Sequence, residues 1–316
     1  MDEVKIEDNT KIGEATIVEC LVPEKEIELF PQKWISPTSI NAFFKCPRSY
    51  FYQYIAKIRI KPNIDMIKGS IVHRALELFF VEYPETGDLE THLLTSYAKA
   101  LEENQKQIKM LELKEEELTK EKKDCLNMLV DYLEDLKKKA RNYIEAGKAE
   151  NIGHAFFLLR PKFREVSVTD DELHCKGVID RVDTDFDGVI TLVDYKTSKK
   201  WGVGLPMDYK RQLSIYSLLY QRKEKITADF VSVNFLRISE NYFLEVTPSF
   251  LRYALDTITD TYAKTRSTSM ADYPKLEGSL CRRCNFKDIC SGKEEWSKRV
   301  REEKIIELIK DDKKDE

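Results

Sequence analysis

Apolar positions follow two rhythms along this chain. From Ser36 to about Ala146 they recur every three or four residues, the spacing of amphipathic helices. From about Ala155 to Lys196 they alternate, as in half-buried strands, and beyond that helical and alternating runs take turns. Residues 1–33 alternate only weakly, contain Pro23 and Pro31, and predict an extended lead-in. "SPTSINAFFKCPRSYFYQYI" predicts a helix with Ser36 as its cap and Pro37 in its first turn. After a loop over Pro62 to Gly69, "GSIVHRALELFFVEY" predicts a second helix that stops before Pro84. Residues 85–150 read as a helical insertion with strongly charged faces. "FREVSVTDDELHCKGVIDRVDTDFDGVITLVDYKT" predicts a three-stranded meander, with turns at "TDDE" and "DFDG". A helix over "MDYKRQLSIYSLLYQRK", a hairpin over "TADFVSVNFLRI" and "NYFLEVTP", and a helix over "SFLRYALDTITDTYAKTR" complete an α/β pattern, a mixed sheet flanked by helices. Residues 292–316 form a charged tail.

Composition narrows the class. The 316 residues are 42% hydrophobic and 34% charged, ordinary for a folded globular protein. No apolar run approaches a membrane span, and the acidic start "MDEVKIEDNT" is unlike a signal peptide, so the expectation is a cytoplasmic protein without membrane contact. A net charge of -4 argues against a surface that is basic all over, while clusters such as "KTSKK" and "CRRC" still permit a local basic track. Seven cysteines point to thiols that are free or bind metal rather than to a disulfide framework.

The strand "VITLVDYK" carries the first chemical signal. Alternation puts Asp194 and Lys196 on one face with Ile190 and Leu192, and Val193 and Tyr195 on the other. Alone, the pair reads more readily as a salt bridge at a strand end. With the hairpin turn centred near Phe186, Asp180 falls opposite Leu192 and diagonal to Asp194, so two carboxylates share one sheet end. A bound cation relieves their repulsion. Oxygen donors beside a lysine suit Mg²⁺ or Mn²⁺, and metal-assisted phosphodiester hydrolysis follows as the reaction class.

"GVIDRVD" followed by "LVDYKT" resembles the core motif of the PD-(D/E)xK nuclease superfamily, and more narrowly its RecB-type exonuclease family. His73 in "GSIVHRALE" matches that family's upstream histidine, and Gln212 and Tyr216 in "RQLSIY" match its glutamine and tyrosine one turn apart. The resemblance spans most of residues 36 to 290 and implies a restriction-endonuclease-like domain over residues 34–291. It implies His73, Asp180, Asp194 and the Tyr195 carbonyl as metal ligands, Lys196 beside the attacking water, and Gln212 and Tyr216 as orienting groups. Glu165 and Glu77 are weaker candidates for a second metal site. Arg181 and Asp183 read as a salt bridge near the turn.

"CRRCNFKDIC" supplies Cys281, Cys284 and Cys290, and Cys46 is a plausible fourth ligand. Spacing alone leaves zinc and iron–sulfur nearly balanced. One cysteine before the nuclease core and three after it is similar to the iron–sulfur staple of the CRISPR adaptation exonucleases and the AddB nuclease domain. That resemblance implies a structural [4Fe-4S] cluster. The expected activity is a metal-dependent DNA exonuclease acting on single strands or DNA ends, with repair, replication, phage metabolism and CRISPR adaptation all open as its pathway. The alternative is a catalytically silent or partner-dependent DNA-binding subunit. No G-x-x-x-x-G-K-[ST] loop is present, so ATP-driven unwinding would need a helicase partner, and an integrase is a second candidate. The aromatic helix over residues 35–61 is a candidate platform for stacking unpaired bases.

Overall fold

The computed structural model describes residues 29–60, 62–81, 88–199 and 204–300. Much of the predicted lead-in, and the tail beyond residue 300, therefore lie outside the described residues. The chain divides into two compact units. The larger comprises Trp34–Asn41 and Pro62–Ala263, and the smaller comprises Met1–Lys33, Ala42–Lys61 and Lys264–Glu316.

Helix α1 (Pro37–Lys45) begins where Ser36 and Ser39 exchange hydrogen bonds, each hydroxyl accepting from the other's backbone N–H at 3.2 and 2.8 Å. Ser36 is thus the cap that the sequence predicts. Helix α2 (Ile64–Val81) starts five residues earlier than the predicted Gly69. The reason is Asn63, whose side-chain oxygen accepts from the Met66 N–H at 2.9 Å and caps a turn that reads as a loop. Helix α3 (Leu89–Glu103) is capped by Asp88. Helix α4 (Glu115–Glu145) opens with three glutamates against the positive end of its dipole. It buries Cys125, Met128, Leu129, Tyr132, Leu133, Leu136 and Ala140, a stripe at helical spacing that packs with α2 and α3.

Helix α5 (Ile152–Leu158) precedes the meander of β1 (Phe163–Asp170), β2 (Cys175–Thr184) and β3 (Ile190–Lys196). Helix α6 (Met207–Glu224) then crosses over to β4 (Phe230–Phe235), which pairs parallel with β3, and β5 (Glu240–Glu245) returns antiparallel. A parallel pair needs such a crossover, so the helical pattern of α6 is what makes the sheet mixed. Strand order is β1-β2-β3-β4-β5, and α7 (Pro248–Lys264) follows. The sheet divides two cores as the alternation of β3 predicts. Val193 and Tyr195 pack with α2 and α4, while Leu192 and Ile190 pack with α6 and α7. Burying Leu192 alone contributes roughly 1.5–3 kcal/mol. No helix among the described residues is long and apolar enough to cross a membrane.

In the smaller unit Tyr50, Phe51 and Tyr52 are buried with Tyr273, Phe286 and Ile289. These three aromatics are core and not open to stacking on bases, whereas Phe44 in the same segment is 47% exposed.

Candidate active site

The hairpin of β2 and β3 closes one residue later than predicted. Thr184 pairs with Ile190 and Val182 with Leu192, so the turn centres on Asp187, where Asp185 accepts from the N–H groups of Asp187 and Val189 and Gly188 takes φ +80°. Moving the turn by one residue moves the register by two, which preserves the faces. Asp180 is therefore not opposite Leu192. Continuing the ladder past Arg181 and Val193 brings it opposite Asp194, and there its carboxylate accepts the Tyr195 N–H at 2.7 Å.

Helix α6 meets the end of β3 from one side. Gln212 donates from Nε2 to Asp194 Oδ1 and to the Tyr216 hydroxyl, each at 3.0 Å, while its Oε1 accepts from Lys196 Nζ at 3.2 Å. Lys196 Nζ also lies 2.6 Å from Asp194 Oδ2, in an ion pair without hydrogen-bond alignment. The Tyr216 ring lies over β2 at Gly177, where an added Cβ would come 2.8 Å from ring carbon Cε1. Only glycine admits that ring without something shifting.

Helix α2 brings His73 to the same end, with Nδ1 3.4 Å from Asp180 Oδ1 and its ring edge-on to Tyr195. Strand β1 brings Glu165, held at φ +46° where the ladder between Arg164–Arg181 and Val166–Ile179 skips a pair. A left-handed glutamate inside a strand is uncommon, and such strain collects at functional sites. Ligand atoms of His73, Glu165 and Asp180 all lie within 4.8 Å of one another. One nitrogen and two carboxylates at that spacing fit a divalent cation. Asp194 stands outside this trio, engaged with Lys196 and Gln212. Glu77, one turn after His73, pairs with Arg74 at 2.7 Å.

The charges explain one another. Burial opposes the ionised form of Asp180, but His73 and the Tyr195 N–H outweigh it and hold its pKa below the usual range. Burial raises Asp194, and the Asp180 charge adds to it against the pull of Lys196. Burial works against the His73 and Lys196 cations, yet the neighbouring carboxylates raise both. Glu165 is pushed up to about 7 by burial, then by Asp180 and Glu77.

Behind the site lies a network that sequence reading took for a turn salt bridge. Arg181 grips Asp183 through two bonds of 2.6 and 2.5 Å and donates to the hydroxyls of Tyr132 at 2.6 Å and Tyr195 at 3.2 Å. Tyr132 comes from α4, and nothing in the sequence signals that partnership. A second network joins Lys68 of α2 to Glu121 and Asp124 of α4. Arg237 grips Asp124 at 2.5 and 2.6 Å and donates to the Thr197 carbonyl at 3.0 Å, fixing the chain just past Lys196.

The sequence model of the PD-(D/E)XK nuclease superfamily matches residues 34–291. The chain belongs to that superfamily. The mixed five-stranded sheet with flanking helices is its restriction-endonuclease-like α/β fold. Among solved structures, the chain is similar to a candidate exonuclease from Eubacterium rectale at 14% identity and a TM-score of 0.45, over 80% of this chain and 87% of that one. No curated protein matches it.

Proposed function

We propose that this PD-(D/E)XK protein hydrolyses phosphodiester bonds in DNA as a metal-dependent exonuclease on single strands or DNA ends. The observation that carries the reading is one hydrogen-bonded set at the end of β3, in which Gln212 joins Asp194 and Lys196 beside Asp180 and His73. A structural salt bridge needs no such set. His73, Asp180 and Glu165 would hold Mg²⁺ or Mn²⁺, with Asp194 and the Tyr195 carbonyl as further donors. The ion would supply Lewis acidity and charge neutralisation at the phosphate. Lys196, held between Asp194 and Gln212, orients the attacking water and faces the negative charge that grows as the new P–O bond forms. Gln212 fixes the ammonium, and Tyr216 fixes Gln212.

The deciding experiment is cleavage of end-labelled single- and double-stranded DNA with Mg²⁺, Mn²⁺ or EDTA, by the native protein, Asp194→Ala and Lys196→Ala. Metal-dependent cleavage lost in both variants supports the reading. No cleavage by fully loaded native protein would replace it with a DNA-binding subunit awaiting a helicase or integrase.

The reading extends to a [4Fe-4S] cluster on Cys46, Cys281, Cys284 and Cys290, as in the CRISPR-associated and AddB nucleases. All four cysteines belong to the smaller unit. Burial raises the Cys284 thiol, and the charges of Cys46, Cys290 and Cys281 raise it further, so these thiols lie within electrostatic reach of Cys284. A soft cation or cluster would relieve that crowding. Iron, sulfide and zinc analysis after anaerobic purification tests it, and stoichiometric zinc without sulfide would replace the cluster with a zinc site.

A further inference from the structure

One cation beside the site has no role in the chemistry above. Arg164 immediately precedes Glu165 and pairs across the ladder with Arg181, so two guanidinium side chains leave adjacent strands from facing positions. Like charges so placed are unfavourable. Asp183 neutralises Arg181 through its two bonds. Arg164 forms no hydrogen bond or ion pair among the described residues, and its Nε is buried without a partner. Burying a donor unsatisfied is costly, and such an atom marks a group built for a ligand.

Next to this excess of positive charge stands an exposed aromatic ring. Phe163 opens β1 with 48% of its surface in solvent, and the Lys162 ammonium lies 5.7 Å from its ring centroid. Phe163 and Glu165 are two residues apart, about 7 Å along the strand. Strand β1 is the edge of the sheet, so a nucleic-acid strand laid along it reaches Phe163 on one face and Arg164 on the other, and an exposed ring with a cation beside it is an arrangement that receives an unpaired base and its phosphates. A duplex hides its base faces, and a free phosphate has no use for the ring.

We propose that the start of β1 is a contact surface for a single DNA strand, with Phe163 stacking on a base and Lys162 and Arg164 taking the flanking phosphates. This rests on the nuclease reading above. It gives the unpaired guanidinium its counter-charge, and it sets the stacked base beside the trio of His73, Glu165 and Asp180.

The test is fluorescence anisotropy of a labelled oligothymidine in EDTA at several salt concentrations, with native protein, Phe163→Ala, Arg164→Gln and Lys162→Gln. Phe163→Ala is expected to weaken single-strand binding about 5- to 100-fold, the range for loss of one stacked base, and to leave duplex binding unchanged. Arg164→Gln and Lys162→Gln are each expected to lower the slope of log affinity against log salt by about 0.7. Lys162 is exposed, so its variant reads the slope without disturbing the buried guanidinium. Native affinity and slope in all three variants, with a native protein that binds and cleaves DNA, would overturn this surface and leave the nuclease reading standing. A native protein that neither binds nor, with metal, cleaves DNA would remove both.

Discussion

Gly177 offers a sharp test of how the site is assembled, because its effect should reverse sign with the side chain at one other position. A Cβ there meets the Tyr216 ring at 2.8 Å, closer than carbon atoms approach, and Pro37 at 3.5 Å closes off part of the space around it. The ring cannot easily retreat, since Tyr216 is buried and tied to Gln212 at 3.0 Å. Overpacking of this kind costs about 1–3 kcal/mol. At roughly 2–4 °C per kcal/mol for a unit of this size, Gly177→Ala should lower the melting temperature by about 2–12 °C. If the ring moves instead, Gln212 loses its anchor and cleavage falls while the fold survives. In a Tyr216→Leu background the clash disappears. Alanine should then stabilise the strand by about 0.5–1 kcal/mol relative to glycine, through lower unfolded-state entropy. The assay is a double-mutant cycle by thermal or denaturant melting, with cleavage measured alongside. An equal cost of Gly177→Ala in both backgrounds would refute the reasoning, because the penalty would then have nothing to do with the tyrosine.

The other predictions concern the charges around the site. Arg181→Met strands Asp183 and leaves the Tyr132 and Tyr195 hydroxyls only each other as partners, and chemical denaturation should show a loss of about 3–5 kcal/mol; a loss under 1 kcal/mol would mean that the network is slack. Asp124 has its pKa lowered because Arg237 and Lys68 outweigh its burial. It therefore contributes stability above its unfolded value, lost as pH falls through the folded one, and Asp124→Asn should flatten the drop in melting temperature below about pH 4. Glu165 behaves oppositely. Raised to about 7, it binds a proton more tightly in the folded than in the unfolded state, so metal-free stability should decline as pH rises from about 4.5 to 7. The side chain is only partly shielded from solvent, so the decline is shallow, and Glu165→Gln melted in EDTA should abolish it.

What the sequence revealed, and what it hid, follows from the range of the interactions. The two faces of β3 were legible because alternation is a local property, and both cores respect it. Gln212 and Tyr216 were named only by the family resemblance, and the single helical turn between them is what lets them meet at 3.0 Å. The start of α2 was missed because Asn63 caps it from within a stretch that looks like a loop. The β2–β3 register was missed by two because a tight turn at Asp185 to Gly188 leaves its centre open by one residue. Tyr132 had no signal at all. It reaches Arg181 and Tyr195 from a helix that is separated from them by α5 and β1, and its own stripe reads as ordinary core. Glu165 was legible as a candidate, but its left-handed backbone in mid-strand was not, since a glutamate carries no preference for that conformation.

The site divides into two halves with different needs for charge. Asp194 has Lys196 for a counter-ion and Gln212 for a donor, so burial raises its pKa without leaving it alone. Asp180 leans on His73 and on the Tyr195 N–H. Glu165 has no such bonded partner, and burial with the charges of Asp180 and Glu77 outweighs the pull of His73 and Arg74, so it binds a proton up to about pH 7. One further positive charge among His73, Glu165 and Asp180 would release that proton and offset the repulsion that both aspartates feel. It would also draw Asp194 away from Lys196, which would give the ammonium freedom to meet phosphate. On the proposed nuclease reading, the lysine–aspartate pair at the end of β3 would be the resting arrangement of a site that takes one more cation, a reason for an apolar strand to deliver its acid and its base so close together.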